Sequence, residues 1–560
     1  MMNDWIPSEG IVYTDELRDI ITAEGSVAVL AGAGSGKTEL LAQKASFLFS
    51  TGKCSWPNRI LSLTFKREAQ YNIKKRVDQR CGTYSTRFDS FTFHAFAKSI
   101  VDRFRCLLDE DIRPKDNYDI VSKDAESDGI TKLVMRQIIE LSINILLKNK
   151  DIMKILTDSY KYVFIDEFQD TTDAQYSLIK CIFDGSDTKF LCVGDINQSI
   201  MLWAGARTTV FNDYIEDFSA SYKLLVTNYR SSEDIQRVLT IFLEYMKNQD
   251  TLSVNSTVSS GGGIKIFRDE AQEANYIANR IKNMIESGIE ESEICILTKQ
   301  QSSIYTQVIR DSLNNLGINN LDMSDLQDSL KEPLGEIFSL YAKFLTCPEP
   351  KNTCKLHDLY LYINNIERDD TQEERVSSEF YHFVQAQKRN IDDTVTVDFL
   401  LLKINEFITF IGFDKIKAKW KQYKSQAFTN NLWVILELHL RNVFLKTASA
   451  IDAVKLFTAD NAVQIMNIHK CKGLEYKSVF FIGLEDQAFW NYSNAKFEND
   501  CAIYVAMSRA KENLEITYTC HREHRRTQYY DNRASSCDKV KSVYHTLISN
   551  CLLPLDDLTK

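Results

Sequence analysis

The stretch SVAVLAGAGSGKTELLAQKASFLF, residues 26–49, decides the fold. A short apolar run rich in valine ends in a glycine loop, and an unbroken helical pattern follows. AGAGSGKT (31–38) therefore lies between a strand and a helix, the setting in which this spacing cradles phosphate. Ala31, Gly32, Ala33, Gly34, Ser35 and Gly36 offer backbone N–H groups that can curl around phosphate oxygens, because the glycines tolerate the turn. The helix N-terminus adds its dipole, Lys37 reaches the β- and γ-phosphates, and Thr38 holds Mg²⁺. Ala31 stands where the strict pattern has its first glycine, and this relaxed form still fits. A nucleoside triphosphate with Mg²⁺ is the expected ligand.

A second stretch, YKYVFIDEFQDTTDAQYSLIKCIF (160–183), reads as strand, acidic turn and helix, and the strand KFLCVGD (189–195) follows. Such alternation predicts an α/β fold with parallel strands. Asp166 falls at the C-terminal end of the run VFI. In NTP hydrolysis one carboxylate commonly serves the metal and another the water. Asp166 is therefore expected on Mg²⁺ and Glu167 on the attacking water.

Working outward, residues 101–155 read as helical with no strand between, and a new strand and turn begin at YKLLVTNYRSS (222–232). SSGGG (259–263) is the clearest loop, and EICILT (293–298) resumes the α/β pattern. Residues 316–455 are again helical. The α/β pattern returns at AVQIMNIHKCKGLEYKSVFFIGL (462–484) and runs to NLEITYT (513–519). The expected organisation is two α/β bodies, each interrupted by a helical insertion. The first is 1–100 with 156–218, interrupted by 101–155. The second is 219–315 with 456–560, interrupted by 316–455.

Composition narrows the class. The 560 residues are 44% hydrophobic and 26% charged, which excludes a disordered or collagen-like chain. No run approaches the ~18 apolar residues of a membrane span, and MMNDWIPSEG lacks the marks of a signal peptide. A cytoplasmic protein with no membrane partner is expected. The 13 cysteines never fall at C-x-x-C spacing, so reduced thiols are expected instead of a zinc or iron–sulfur site. The net charge of −10 argues against a coat of nucleic acid but permits a local basic groove.

Six segments make a family resemblance specific: AGAGSGKT, DEFQD (166–170), VGDINQSIMLWAGA (193–206), NYRSS (228–232), IHKCKGLEY (468–476) and YVAMSRAKENL (504–514). Their order and spacing resemble those of superfamily 1A helicases of the UvrD/PcrA/Rep branch. The resemblance implies two RecA-like parallel-sheet domains, ATP bound between them, and single-stranded nucleic acid running across both. It implies that Gln198 senses the γ-phosphate, that Arg230 and Arg509 reach it, that Tyr229 stacks on the base, and that Glu475 lies near the ribose and γ-phosphate. Arginines so placed stabilise transition-state charge.

The resemblance also implies nucleic-acid contacts at Thr64, Phe65, Thr92, His94, Trp203 and His469. Stacking platforms in a charged groove hold single strands without sequence preference. Two departures stand out. Leu17 replaces the family's adenine-reading glutamine, which puts strict ATP preference in doubt, and Lys66-Arg67-Glu68 departs from the usual residues of the first DNA motif. The insertions resemble trimmed versions of the family's. No intact nuclease constellation follows the last motif. The resemblance thus implies an ATP- and Mg²⁺-dependent DNA helicase and translocase moving 3′ to 5′ on single-stranded or partly duplex DNA. The alternative is a DNA-sensing ATPase subunit that regulates a separate nuclease or effector, as in the Gabija antiphage system.

Overall fold

A sheet whose strands are apolar at odd and even positions alike must be covered on both faces. The computed structural model has this architecture. It describes residues 5–116, 118–121, 124–248, 262–324, 326–347, 349–366, 372–387, 395–525, 533–550 and 553–559. Two compact units emerge: Met1–Gln249 with Asn494–Ser508, and Asp250–Ser493 with Arg509–Lys560.

The strands of the first unit are, in chain order, β1 (Val27–Ala31), β2 (Arg59–Thr64), β3 (Phe88–Thr92), β4 (Asp119–Val121), β5 (Lys132–Val134), β6 (Tyr160–Ile165), β7 (Lys189–Gly194) and β8 (Ser221–Leu225). Six of them form one parallel sheet in the order β3-β2-β6-β7-β1-β8. Val27, Val29, Tyr162, Phe164, Leu191 and Val193 face one core, beneath helices Lys37–Ser50 and Arg67–Cys81. Ala28, Val163, Ile165, Phe190 and Cys192 face the other, beneath helices that include Phe93–Phe104, Met135–Lys148 and Asp173–Phe183.

Three expectations need correction here. β8, assigned from the sequence to the second body, pairs with β1 from Val27↔Ser221 to Ala31↔Leu225. The first body therefore extends past residue 218. The helix Lys496–Met507 also groups with the first unit, although its sequence neighbours on both sides belong to the second. Finally, the insertion is not purely helical, because β4 and β5 pair in parallel within it. Three-residue strands carry too short a pattern to be read from sequence.

The second unit holds β9 (Gly262–Asp269), β10 (Ile294–Thr298), β11 (Asn320–Asp322), β12 (Val463–Asn467), β13 (Tyr476–Phe481), β14 (Ala510–His521) and β15 (Leu555–Asp557). They form a parallel sheet in the order β11-β12-β10-β13-β14-β9-β15. β11 lies inside the span expected to be all helix. Among the described residues the elements in the rest of that span are helices, from Pro333–Thr346 to Ala450–Phe457. Its core is aromatic, with Tyr341 stacked on Phe407 at 4.2 Å and Phe383 on Phe410 at 4.1 Å. Of the SSGGG loop, residues 259–261 lie outside the described residues, and Gly262 and Gly263 begin β9.

An ionic knot closes the end of β14. Arg522 is 1% exposed, and Glu273 and Glu485 are wholly buried. Arg522 Nη2 donates to Glu273 Oε2 at 2.8 Å, and Nε donates to Glu485 Oε1 at 3.1 Å. Thr519 N–H and the Ser535 hydroxyl supply further donors to Glu485. Thus the segment after residue 532 is tied to the loop after β13.

Candidate active site

Because all six strands of the first sheet run parallel, each delivers its following loop to one edge, where ligands gather in open α/β sheets. Across that edge, from β3 to β8, lie Thr92 and His94, then Thr64 and Phe65, then Asp166 and Glu167, then Asp195 to Gln198. The glycine loop and Asn228 to Arg230 complete the row.

The glycine loop leaves β1 pinned to β8, with Gly32 N–H donating to Leu225 O at 3.0 Å. Gly34 and Gly36 have φ of 73° and 79°, a left-handed region open to glycine at no steric cost. Gly36 caps the helix beginning at Lys37, and Lys37 and Thr38 are half-buried on its first turn. Gly34 is also a close-approach point. A Cβ there would lie 2.3 Å from Asn228 Oδ1 and 2.8 Å from Arg230 Cβ. Gly34 O accepts from Tyr229 N–H at 3.1 Å, and Asn228 Oδ1 accepts from the N–H groups of Arg230 at 2.8 Å and Ser231 at 3.2 Å. NYRSS is therefore folded onto the glycine loop. Tyr229 presents its ring to solvent, 54% exposed, and Arg230 Nη1 donates to the carbonyl of Ser508 at 3.4 Å.

Behind the loop, Lys44 Nζ is buried and donates to the carbonyls of Ile21 at 2.7 Å and Ala23 at 2.6 Å. It thereby closes the C-terminal end of helix Asp15–Thr22, which carries Leu17. Burial pulls the Lys44 ammonium down to about 7. Leu17 packs against the core beside β1 and β8.

Two acidic strand ends stand next to one another. Asp166 directly follows β6, 5% exposed, and its Oδ1 accepts from Glu167 N–H at 2.9 Å. Glu167 has φ of 51°, a left-handed conformation that costs a residue with a Cβ. On the neighbouring strand end, Asp195 is 1% exposed. Its carboxylate accepts from Gln198 Nε2 at 2.7 Å and Asn197 N–H at 3.0 Å. Burial pushes the Asp195 carboxyl above its ordinary value, against the opposing pull of Lys37 and of the Gln198 and Asn197 donors. Gln169 lies between the two ends, with Nε2 donating to Glu167 Oε2 at 2.6 Å and Oε1 accepting from Asp195 N–H at 2.9 Å.

In the second unit, Glu475 and Arg509 immediately precede the adjacent strands β13 and β14, joined where Tyr476 N–H donates to Arg509 O at 2.9 Å. Arg509 is 1% exposed, with Nη1 donating to Leu474 O at 3.1 Å, and exposed Glu475 pairs with Lys511 at 2.9 Å. His469 lies on the short helix Ile468–Cys471 after β12, half-buried. It stands at the opposite end of that sheet from Glu475 and Arg509.

The nucleic-acid candidates fare unequally. Phe65 and His94 are half-buried on the shared edge, and burial lowers the His94 imidazole below its ordinary value. Thr92 Oγ1 caps the following helix by accepting from Ala95 N–H at 3.1 Å. Thr64 departs from expectation. It is wholly buried, and its hydroxyl donates to Lys66 O at 3.1 Å, so its side chain shapes the loop. Trp203 falls in the turn Leu202–Ala204, and its side chain lies outside the described residues.

Comparison with known proteins decides the family. The UvrD/REP helicase N-terminal domain matches residues 13–140 and 122–219, and the UvrD-like helicase C-terminal domain matches 223–328 and 349–521. The chain belongs to the UvrD-like helicases. It is 24% identical to the ATP-dependent DNA helicase PcrA of Staphylococcus epidermidis, over 90% of this chain and 83% of that one. It is 23% identical to a probable DNA helicase II homolog of Mycoplasma capricolum, over 91% of this chain and 84% of that one. The PcrA of Staphylococcus aureus is likewise 23% identical, over 91% and 83%.

Within this UvrD-like frame, sequence reading missed Gln169, Asp195 and Asn228. Asp195 carried a signal, because an acid directly after an apolar parallel strand repeats the pattern that singled out Asp166. Gln169 and Asn228 lie inside the quoted motifs DEFQD and NYRSS, but their hydrogen bonds are made in space, so the motifs did not single them out. As for the metal, Thr38 and Asp166 offer hydroxyl and carboxylate oxygen, the hard donors suited to Mg²⁺ bound with phosphates. Among the described residues, no helix is long and apolar enough to cross a membrane. The same residues contain no His, Cys, Asp or Glu cluster of metal-binding type.

Proposed function

We propose that this UvrD-like chain is an ATP-dependent DNA helicase and translocase that moves 3′ to 5′ along single-stranded DNA. The observation that carries the helicase reading is the row of loops along one sheet edge, while the direction rests on the family resemblance alone. Phosphate-loop, carboxylate and γ-phosphate-sensing candidates stand at one end, and Phe65 and His94 stand at the other. In this reading Lys37 neutralises the β- and γ-phosphates, and Thr38 and Asp166 hold Mg²⁺, which offsets charge on the phosphates. Glu167 takes a proton from the attacking water. Gln198 reads the γ-phosphate, and Arg230 and Arg509 stabilise its developing charge. Tyr229 stacks on the base. Phe65, His94, Trp203 and His469 hold the DNA strand, and Glu475 approaches the ribose.

Hydrolysis, strand displacement and polarity test the reading together. Lys37→Ala should abolish hydrolysis and weaken nucleotide binding, whereas Glu167→Gln should keep binding and lose turnover. The chain alone should unwind a duplex with a 3′ single-stranded tail and leave a 5′-tailed one intact. DNA-stimulated hydrolysis without unwinding would favour the second reading, an ATPase subunit that controls a separate nuclease.

A further inference from the structure

The segment after β6 and the loop after β7 are fastened together at both ends. At the start, Asp195 N–H donates to Gln169 Oε1 at 2.9 Å. At the far end, Arg207 N–H donates to Thr171 O at 2.9 Å, and Thr172 bridges to Ala206. Between these ties the loop carries Gln198 and Trp203. The tie at the start leaves no slack. Gln169 is 2% exposed, and a Cβ on Gly194 would lie 2.3 Å from its Oε1. The other half of the same carboxamide donates to Glu167 Oε2 at 2.6 Å.

An unbroken hydrogen-bonded path therefore runs from Glu167 Oε2 through Gln169 to Asp195 N–H. It continues from Asp195 Oδ2 to Gln198 Nε2 at 2.7 Å. We propose that Gln169 is a positioning residue that transmits the state of the 195–206 loop to the water-activating Glu167, so that a bound strand sets the rate of hydrolysis. The proposal rests on the helicase reading above. A rigid amide suits the task because its acceptor and donor are fixed relative to one another. If the loop moves Asp195, the amide must turn, and the Glu167 carboxylate turns with it.

Gln169→Met keeps the side-chain length and removes both hydrogen bonds. Gln169→Glu keeps an acceptor for Asp195 and sets a second carboxylate against Glu167. ATP hydrolysis is measured for each variant with and without a short oligothymidylate, alongside strand affinity and thermal unfolding. For both variants the strand-stimulated kcat should fall by about tenfold or more. The strand-free rate should fall less, so that stimulation collapses, while KM for ATP and strand affinity stay within about twofold. Equal loss of the stimulated and strand-free rates, or unchanged stimulation, overturns the relay. A variant with a lowered melting temperature is compared at a temperature where it remains folded. An unmodified chain whose hydrolysis ignores DNA overturns the helicase reading, and with it the relay. A stimulated unmodified chain with equally stimulated variants overturns the relay alone.

Discussion

Gly34 and Gly36 occupy the same loop with nearly the same backbone, yet alanine should be far costlier at one than at the other. Both have left-handed φ, 73° and 79°, so a Cβ brings strain of about 1–2 kcal/mol at either site. At Gly36 the strain stands alone, because no atom lies within 4 Å of the added carbon. At Gly34 the carbon would meet Asn228 Oδ1 at 2.3 Å and must expel it. The expelled amide gives up its bonds from the N–H groups of Arg230 and Ser231. At about 0.5–1.5 kcal/mol each, these add about 1–3 kcal/mol. Gly34→Ala should thus cost about 2–5 kcal/mol and Gly36→Ala about 1–2 kcal/mol. Thermal unfolding without nucleotide is the assay, read on the transition that a bound ATP analogue shifts upward. The Asn228→Ala background provides the control, since the added cost of Gly34→Ala should shrink once the amide is absent. Equal destabilisation by the two glycine variants, or an undiminished cost in that background, would refute the claim that NYRSS is folded onto the glycine loop.

Further outcomes follow from other contacts. Arg522→Ala leaves the buried carboxylates of Glu273 and Glu485 without their shared cation and should cost about 3–5 kcal/mol, read as early melting of the second unit. Replacing all three residues by apolar ones of similar volume should recover most of that loss. Burial pulls His439 down to about 4, helped by Lys446 and opposed by its bond to Phe457 O, so the folded state holds the imidazole neutral. The unfolded chain binds the extra proton first, and stability should fall as pH drops from about 6.5 to about 4, by at most about 3 kcal/mol. Denaturation midpoints across that window should show the slope, and His439→Leu should flatten it. Leu17 has no polar atom for a base edge, so hydrolysis of GTP or CTP should be measurable beside ATP, and Leu17→Gln should sharpen the preference for ATP. A strict ATP preference in the unmodified chain would mean that another residue reads the base.

The sequence made legible whatever is local. The strand–loop–helix pattern around AGAGSGKT placed the glycine loop between β1 and the helix Lys37–Ser50, and the acid after VFI fell just past the end of β6, because each rests on neighbours along the chain. Strand partnership escaped it. SYKLL reads as the start of a new body, and only pairing with β1 more than 190 residues away reveals that it ends the first. The burial of Thr64 was not legible for a related reason. Its motif position suggested a strand contact, but the final residue of a central strand is enclosed by its neighbours on β3 and β6. Gln169 lay inside a quoted motif, yet its amide acquires a role only when β7 lies beside β6.

Neighbouring strands lie about 4.8 Å apart. β2, which Phe65 follows, and β1, which leads into the glycine loop, are separated by β6 and β7, so their ends are about 14 Å apart along the edge. That gap is too wide for any one side chain to bridge. In the proposed reading fuel and cargo would be held at a fixed gauge, and whatever passes between them would cross two intermediate stations, one bearing Glu167 and one bearing Asp195. The sheet resists stretching along this line because its interstrand hydrogen bonds run in the same direction. Engineered changes of step size in such a motor would therefore have to come from the loops that rise from the edge, since the spacing beneath them is set by the backbone itself.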